Sequence, residues 1–267
     1  MNLSQFDFAQ LYREQMQQMT RRERDPEYWD RRASAMSDGE FTSPYVRQFV
    51  DRMDLTDCRT LLDVGCGPGT ISLTVAARLE QVYGLDHSPG MLAAFALNAR
   101  QRGLTGATPI LRAWNDDWAD VPVCDVAVAS RSTAVPDLEA AILKLESKAR
   151  RRVYLTYPAD GRLGGEEVRE AMGRASQALP DYLCVIGILH HHGVYPTLAF
   201  LPGKDRFATC SDFADFCAKV VDVHGDVTVD EVERLRTYFD AHRDANARES
   251  MRWALFSWEP RPRAGSR

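Results

Sequence analysis

The chain has 267 residues, 45% of them hydrophobic and 27% charged, with a net charge of −5 and a pI near 5.7. A chain of this size can bury about 70–75% of its unfolded surface, so it needs no disulfide or metal staple, and its acidic balance excludes a global basic field for nucleic acid. The six scattered cysteines contain no C-x-x-C pair, the usage of reduced cytoplasmic thiols, and no apolar run approaches the ~20 residues of a membrane span.

Residues 1–10 contain Asp7 but neither a basic region nor a long apolar core, so no signal peptide is expected. Phe8, Leu11, Tyr12, Met16 and Met19 recur at helical spacing, and the charged run Arg21-Arg22-Glu23-Arg24 reads as a solvated linker. Asp25-Pro26-Glu27 then supplies a cap, a first-turn proline and an acid for a second helix through Tyr28 and Trp29. A third helix begins at Ser43-Pro44, and its face of Val46, Phe49, Val50 and Met53 should pack on a sheet.

From Thr60 strands and helices alternate, the pattern of a parallel sheet covered on both faces. The first strand enters Asp63-Val64-Gly65-Cys66-Gly67-Pro68-Gly69, and the second ends at Asp86. A helix starts at Ser88-Pro89, further strands are expected at 108–113, 125–130 and 152–157, and Leu138, Ala141, Ile142 and Leu145 mark a helix between the last two. After Pro158 the alternation stops: a helix through Val168 and Met172 precedes two apolar stretches flanking His190-His191-His192-Gly193. Ser211 is expected to cap a helix and Thr228-Val229-Asp230-Glu231 forms a capping box for another; 251–258 reads as a final strand.

The glycine turn admits a close-lying ligand, but its G-x-G-x-G spacing with Asp63 ahead of it suits an ammonium better than the pyrophosphate of a dinucleotide. Asp63 to Gly69, followed by Asp86, closely resembles the signature of the class I S-adenosylmethionine-dependent methyltransferases. The resemblance implies an α/β fold, a doubly wound, mostly parallel seven-stranded Rossmann-like sheet whose antiparallel strand near the edge is 251–258, and S-adenosylmethionine as cofactor. It assigns Asp63 to the methionine amino group through water or backbone. Gly65, Cys66, Gly67 and Gly69 form the main-chain surface against methionine and ribose, and Asp86 takes the two ribose hydroxyls. His87 should edge this pocket, while Met91 either packs on adenine or belongs to the core. After the third strand, Trp114 is expected as an apolar wall and Asn115 as a polar contact to adenine, with simple packing as the alternative for the tryptophans. The fourth strand ends at Ser130-Arg131; that arginine suits a carboxylate, a phosphate or the cofactor's own carboxylate, or else a salt bridge to the N-terminal helices. The Asn/Asp-Pro-Pro-aromatic motif of base-amine methyltransferases is absent there.

The organisation expected is an N-terminal helical arm or lid (1–42), a cofactor-binding core (43–158), a cover insertion with a sheet-edge strand (159–210), C-terminal helices and final strand (211–259), and a flexible tail (260–267). Tyr12, Tyr28, Trp29, Tyr182 and Tyr195 are candidates for lid and acceptor pocket. Read as a strand, the histidine run could direct only His190 and His192 to one site, so no metal is expected and these two are candidates for a general base. Together the readings predict in-line methyl transfer to a small or medium-sized acceptor, with no nucleic-acid partner. The alternatives are a cofactor-binding sensor that does not methylate and, with a poorer fit to the glycine spacing, an NAD-dependent oxidoreductase. Acceptor identity and oligomeric state carry no sequence signal.

Overall fold

Capping residues open most of the helices in the computed structural model, which describes residues 6–18, 25–33, 38–159, 165–175, 180–203, 207, 210–242 and 251–262. The N-terminal arm contains α1 (Phe8–Gln18) and α2 (Pro26–Ala33), the latter started by the Asp25 carboxylate, which accepts from the Tyr28 N–H at 2.8 Å. Ser43 caps α3 (Pro44–Val50), Ser88 caps α5 (Pro89–Gln101) and Asp137 caps α6 (Leu138–Glu146), each side chain satisfying an otherwise orphaned first-turn N–H. The short α4 (Ser72–Val75) leaves the glycine turn.

The strands are β1 (Thr60–Val64), β2 (Gln81–Asp86), β3 (Ala107–Leu111), β4 (Cys124–Ala129), β5 (Ala149–Pro158), β6 (Thr197–Pro202) and β7 (Arg252–Trp258). They form one open sheet in the order β3-β2-β1-β4-β5-β7-β6. The first five are parallel, and β7 runs antiparallel between β5 and β6. The chain moves outward from β1 through β2 and β3, then returns to place β4 on the other flank of β1. A crevice therefore opens at the carboxyl ends of β1 and β4, the place where open α/β sheets hold ligands.

Alternation along the buried strands sends Leu62, Val64, Ala127, Ala129, Leu155 and Tyr157 to one face, against α1, α6 and α8 (Leu183–His191). Leu61, Val82, Val126, Val128 and Tyr154 point to the other, against α3, α4 and α5. A third apolar cluster joins α7 (Glu166–Ala171), α9 (Phe213–His224) and α10 (Val229–Ala241) around Val168, Phe216, Val220 and Leu235. Arg174 pins this helical unit by pairing with Glu231 and donating to the His224 and Asp226 carbonyls.

Three expectations are corrected. The histidines do not lie on a strand: Leu183 to His191 is a helix whose Cys184, Val185, Ile188 and Leu189 are buried on the sheet. A short continuous apolar run carries no period that distinguishes a buried helix from a buried strand. The cap of α9 is Asp212, not Ser211, because its carboxylate accepts from the Asp215 N–H at 2.8 Å. In the expected flexible tail, Arg261 is anchored, its guanidinium gripping the Glu146 carboxylate at 2.7 Å. Met19, the Arg21–Arg24 run, Gly161 and Gly164 lie outside the described residues. Among the described residues no helix is long and apolar enough to cross a membrane.

Candidate active site

Asp63, one residue short of the end of β1, is 1% exposed, and its Oδ2 is buried without a hydrogen-bond partner. Burial drives its pKa up to about 6; the Asp86 charge adds to the rise, while Ser72 and the positive charge of Arg131 oppose it. A buried carboxylate oxygen left unpaired is costly, so this atom has unmet capacity to accept from a donor or cationic group.

The glycine turn lies just beyond. Gly65 and Gly67 have φ of +67° and +53°, a region L side chains seldom adopt. They differ in surroundings. A Cβ on Gly65 would lie 2.3 Å from the Ser132 Cβ, because the loop after β4 presses on the turn, and the Ser132 hydroxyl donates to the Val64 carbonyl at 2.6 Å. A Cβ on Gly67 would meet only the Met91 sulfur, at 3.8 Å. Gly69 is closed off by Leu73 and Phe95. The cradle is thus open above Gly67, and Met91, 2% exposed, forms its wall.

Asp86 ends β2 and is 7% exposed. Its Oδ2 accepts from the Gly67 N–H at 2.9 Å and its Oδ1 from the Ser88 N–H at 3.0 Å, which fixes the carboxylate's rotation yet leaves acceptor capacity for hydroxyl donors. His87 Nδ1 stands 3.4 Å from Asp86 Oδ1, and hydrogen bonding to that carboxylate raises its pKa. Cys66 is buried beside the turn, and burial pushes its thiol pKa well up.

At the carboxyl end of β4, Ser130 Oγ is 2.7 Å from the Tyr45 hydroxyl, and Arg131 places its guanidinium over the Tyr45 ring. The salt bridge considered for Arg131 is not formed with any described residue of the N-terminal helices. Trp114 donates from its indole to the Ser132 carbonyl at 2.9 Å, so it supports the β4 loop; the adjacent Asn115 is exposed.

The lid candidates separate into two groups. Tyr12 is fully buried and donates to the Val135 carbonyl at 2.7 Å, tying α1 to the loop after β4. Tyr28 and Trp29 lie on α2, which packs on α5, and the Tyr28 hydroxyl reaches Asp222 of α9. Tyr182 packs on Phe200 and Phe256 at the sheet edge, and Tyr195 is 78% exposed there, so neither joins the cradle. The histidines are equally remote. His190 lies against Tyr195, and His192 is held by Glu139 at 2.8 Å and by Arg261. The run precedes β6, which is parallel to β5, and therefore lies toward the strands' amino ends, opposite the glycine turn.

Asp30 is a residue that sequence reasoning missed. Its Oδ1 accepts from the Ser88 hydroxyl at 2.5 Å and the Gly90 N–H at 2.8 Å, docking α2 on the first turn of α5. These bonds hold its pKa below the usual carboxylate value. A Cβ on Gly90 would meet Asp30 at 2.8 Å, so the glycine there admits the arm.

The chain belongs to the class I S-adenosylmethionine-dependent methyltransferases, with the doubly wound, mostly parallel sheet of that class. A methyltransferase-domain family model matches residues 61–147. The chain is 32% identical over 263 residues to an uncharacterized protein of Haemophilus influenzae, covering 97% of this chain and 98% of that one. It is 36% identical over 129 residues to nocamycin O-methyltransferase of Saccharothrix syringae, covering 47% and 43% respectively. Coclaurine N-methyltransferase, solved with N-methylheliamine and S-adenosylhomocysteine, shares the fold with a TM-score of 0.57 at 15% identity, over 94% of this chain and 86% of that one.

Proposed function

We propose that this enzyme transfers the methyl group of S-adenosylmethionine to a small-molecule acceptor by in-line displacement, within the cytoplasm. The observation that carries the reading is the free space above Gly67, bounded by the unpaired oxygen of Asp63 on one side and the fixed carboxylate of Asp86 on the other. In this reading Asp63 holds the cofactor's ammonium and Asp86 its ribose hydroxyls. Met91 and His87 line the nucleoside end, with Trp114 and Asn115 beyond them.

When bound, the sulfonium supplies an already activated methyl group, so the protein's work is alignment and exclusion of water. Gly65, Gly67 and Gly69 set the main chain against the cofactor. Tyr12 and the docked α2, with Tyr28 and Trp29, close the cleft from the arm side. No base is required of the histidine run. The small-molecule class is supported by the acceptors in the names of nocamycin O-methyltransferase and coclaurine N-methyltransferase and by the chain's net negative charge.

Calorimetry tests the cofactor site: S-adenosylhomocysteine should bind in the micromolar range, about −8 kcal/mol, and NAD should not. For the acceptor, enzyme and methyl-labelled cofactor are added to a cell extract. Label is expected in the low-molecular-weight fraction; label confined to protein or nucleic acid overturns the small-molecule reading.

A further inference from the structure

Arg131 follows Ser130 at the carboxyl end of β4 with φ of +59°, one of two non-glycine residues in the left-handed region among the described residues. That conformation is disfavoured for a residue with a Cβ and persists only where its surroundings impose it. Here the Arg131 N–H donates to Thr156 Oγ1 at 2.9 Å, and the same oxygen lies 3.1 Å from the Tyr45 hydroxyl. Tyr45, buried on α3, is therefore fixed at its hydroxyl by Ser130 and Thr156. The Arg131 guanidinium carbon sits 4.6 Å from the centre of its ring.

This anchoring leaves the guanidinium's own donors without a hydrogen-bond partner among the described residues. Stacking employs the face of the group, whereas its N–H fork lies in the plane and matches two oxygens of a planar anion. Arg112, Arg152, Arg174 and Arg261 all spend that fork on carboxylates of the protein. Arg131 is exposed and pairs with none among the described residues. Its neighbour Ser132 lies against Gly65 and donates to the Val64 carbonyl, so Arg131 stands beside the turn that follows Asp63, and its charge opposes the rise of the Asp63 pKa. The crevice therefore presents an anion-binding group near a cation-binding one.

We infer that Arg131 is a carboxylate-binding residue at the methyl-transfer end of the site, held in position by Tyr45 and Thr156. The inference rests on the proposed placement of the cofactor across the glycine turn. Two carboxylates could meet the fork: that of the cofactor's amino-acid end, or one carried by the acceptor.

Calorimetry on wild type, Arg131→Gln and Arg131→Gly, with S-adenosylhomocysteine and with 5′-methylthioadenosine, which lacks the amino-acid end, separates the sources. Glycine suits the positive φ, so an undiminished Tm in Arg131→Gly shows that any loss of binding is not misfolding. A loss of about tenfold or more for S-adenosylhomocysteine alone, the scale of a charge-assisted pair, assigns the cofactor's carboxylate. If its affinity is unchanged, turnover is measured on extract metabolites retained by an anion exchanger; loss of that turnover in Arg131→Gln assigns the acceptor's carboxylate. The inference is overturned if both ligands weaken equally, or if neither binding nor turnover on the acidic fraction depends on Arg131. Failure of wild type to bind S-adenosylhomocysteine would instead refute the cofactor placement itself.

Discussion

The glycine turn and the helical arm face the same crevice but are held by different physics. The turn is covalently local: Asp63 to Gly69 are consecutive, and its shape follows from three left-handed glycines and from hydrogen bonds that its N–H groups donate to the Leu85 carbonyl and to Asp86. In the arm, α1 is packed into the core through Ala9 and Tyr12, whereas α2 is held by single side chains reaching across the fold, Asp30 to the start of α5 and Tyr28 to Asp222. A local backbone surface is intolerant of change, whereas a helix such as α2, with no buried residue and held by a few side-chain hydrogen bonds, can open without unfolding the core. Binding should therefore depend on the first and closure on the second.

The sharpest way to break this contrast is Gly67→Val, which should abolish S-adenosylhomocysteine binding while leaving a folded protein, because the added side chain enters the open cradle rather than the core. The left-handed φ should still cost about 1–2 kcal/mol of stability. Calorimetry together with a melting curve checks both, and retained affinity would show that the ligand lies elsewhere. Asp86→Ala should weaken binding by ~1.5–3 kcal/mol through lost hydrogen bonds to the ribose hydroxyls; an unchanged Kd would mean that Asp86 holds only Gly67 and Ser88.

A third prediction uses pH. The Asp63 carboxyl is raised to about 6 in the fold, above its ordinary 3.8. With the folded value raised, its contribution to stability is fully present at low pH and is lost as pH rises through about 6. Pairing with the cofactor's ammonium favours the ionised form, so affinity should climb between about pH 5 and 7 with proton release, then level off. Titrations in buffers of different ionisation enthalpy measure that proton, and Asp63→Asn should bind weakly with a flat profile.

On the arm side, Asp30→Ala and Gly90→Ala should both loosen α2, the first by removing the acceptor and the second by displacing it. Faster hydrogen exchange over 26–33 with little change in the melting temperature is expected, and turnover should fall more than cofactor affinity. Exchange that stays slow in both variants would mean that the latch does not hold the arm. The smallest effects belong to the histidines: His190→Ala and His191→Ala are surface changes and should stay within about 0.5 kcal/mol in stability, with normal turnover. Selective loss of turnover in either would return the run to the site.

The sequence by itself determined the alternating elements, the turn and its two acids, since helical caps, strand alternation and glycine spacing are properties of neighbouring residues. The last strand, Arg252–Trp258, is visible as an apolar run, while its antiparallel direction follows only from the family resemblance. What only the tertiary structure decided is what touches the turn from afar. Ser132 excludes any side chain at Gly65, Asp30 occupies the start of α5, and Tyr45 with Thr156 fixes Arg131. None of these residues differs in type or pattern from an ordinary polar or aromatic one, so nothing marks them in the chain. The run Leu183 to Leu189 shows the same limit. Its apolar residues specify burial, but whether they are buried as helix or strand depends on the space left on the sheet beside α1 and α6, which no local period encodes.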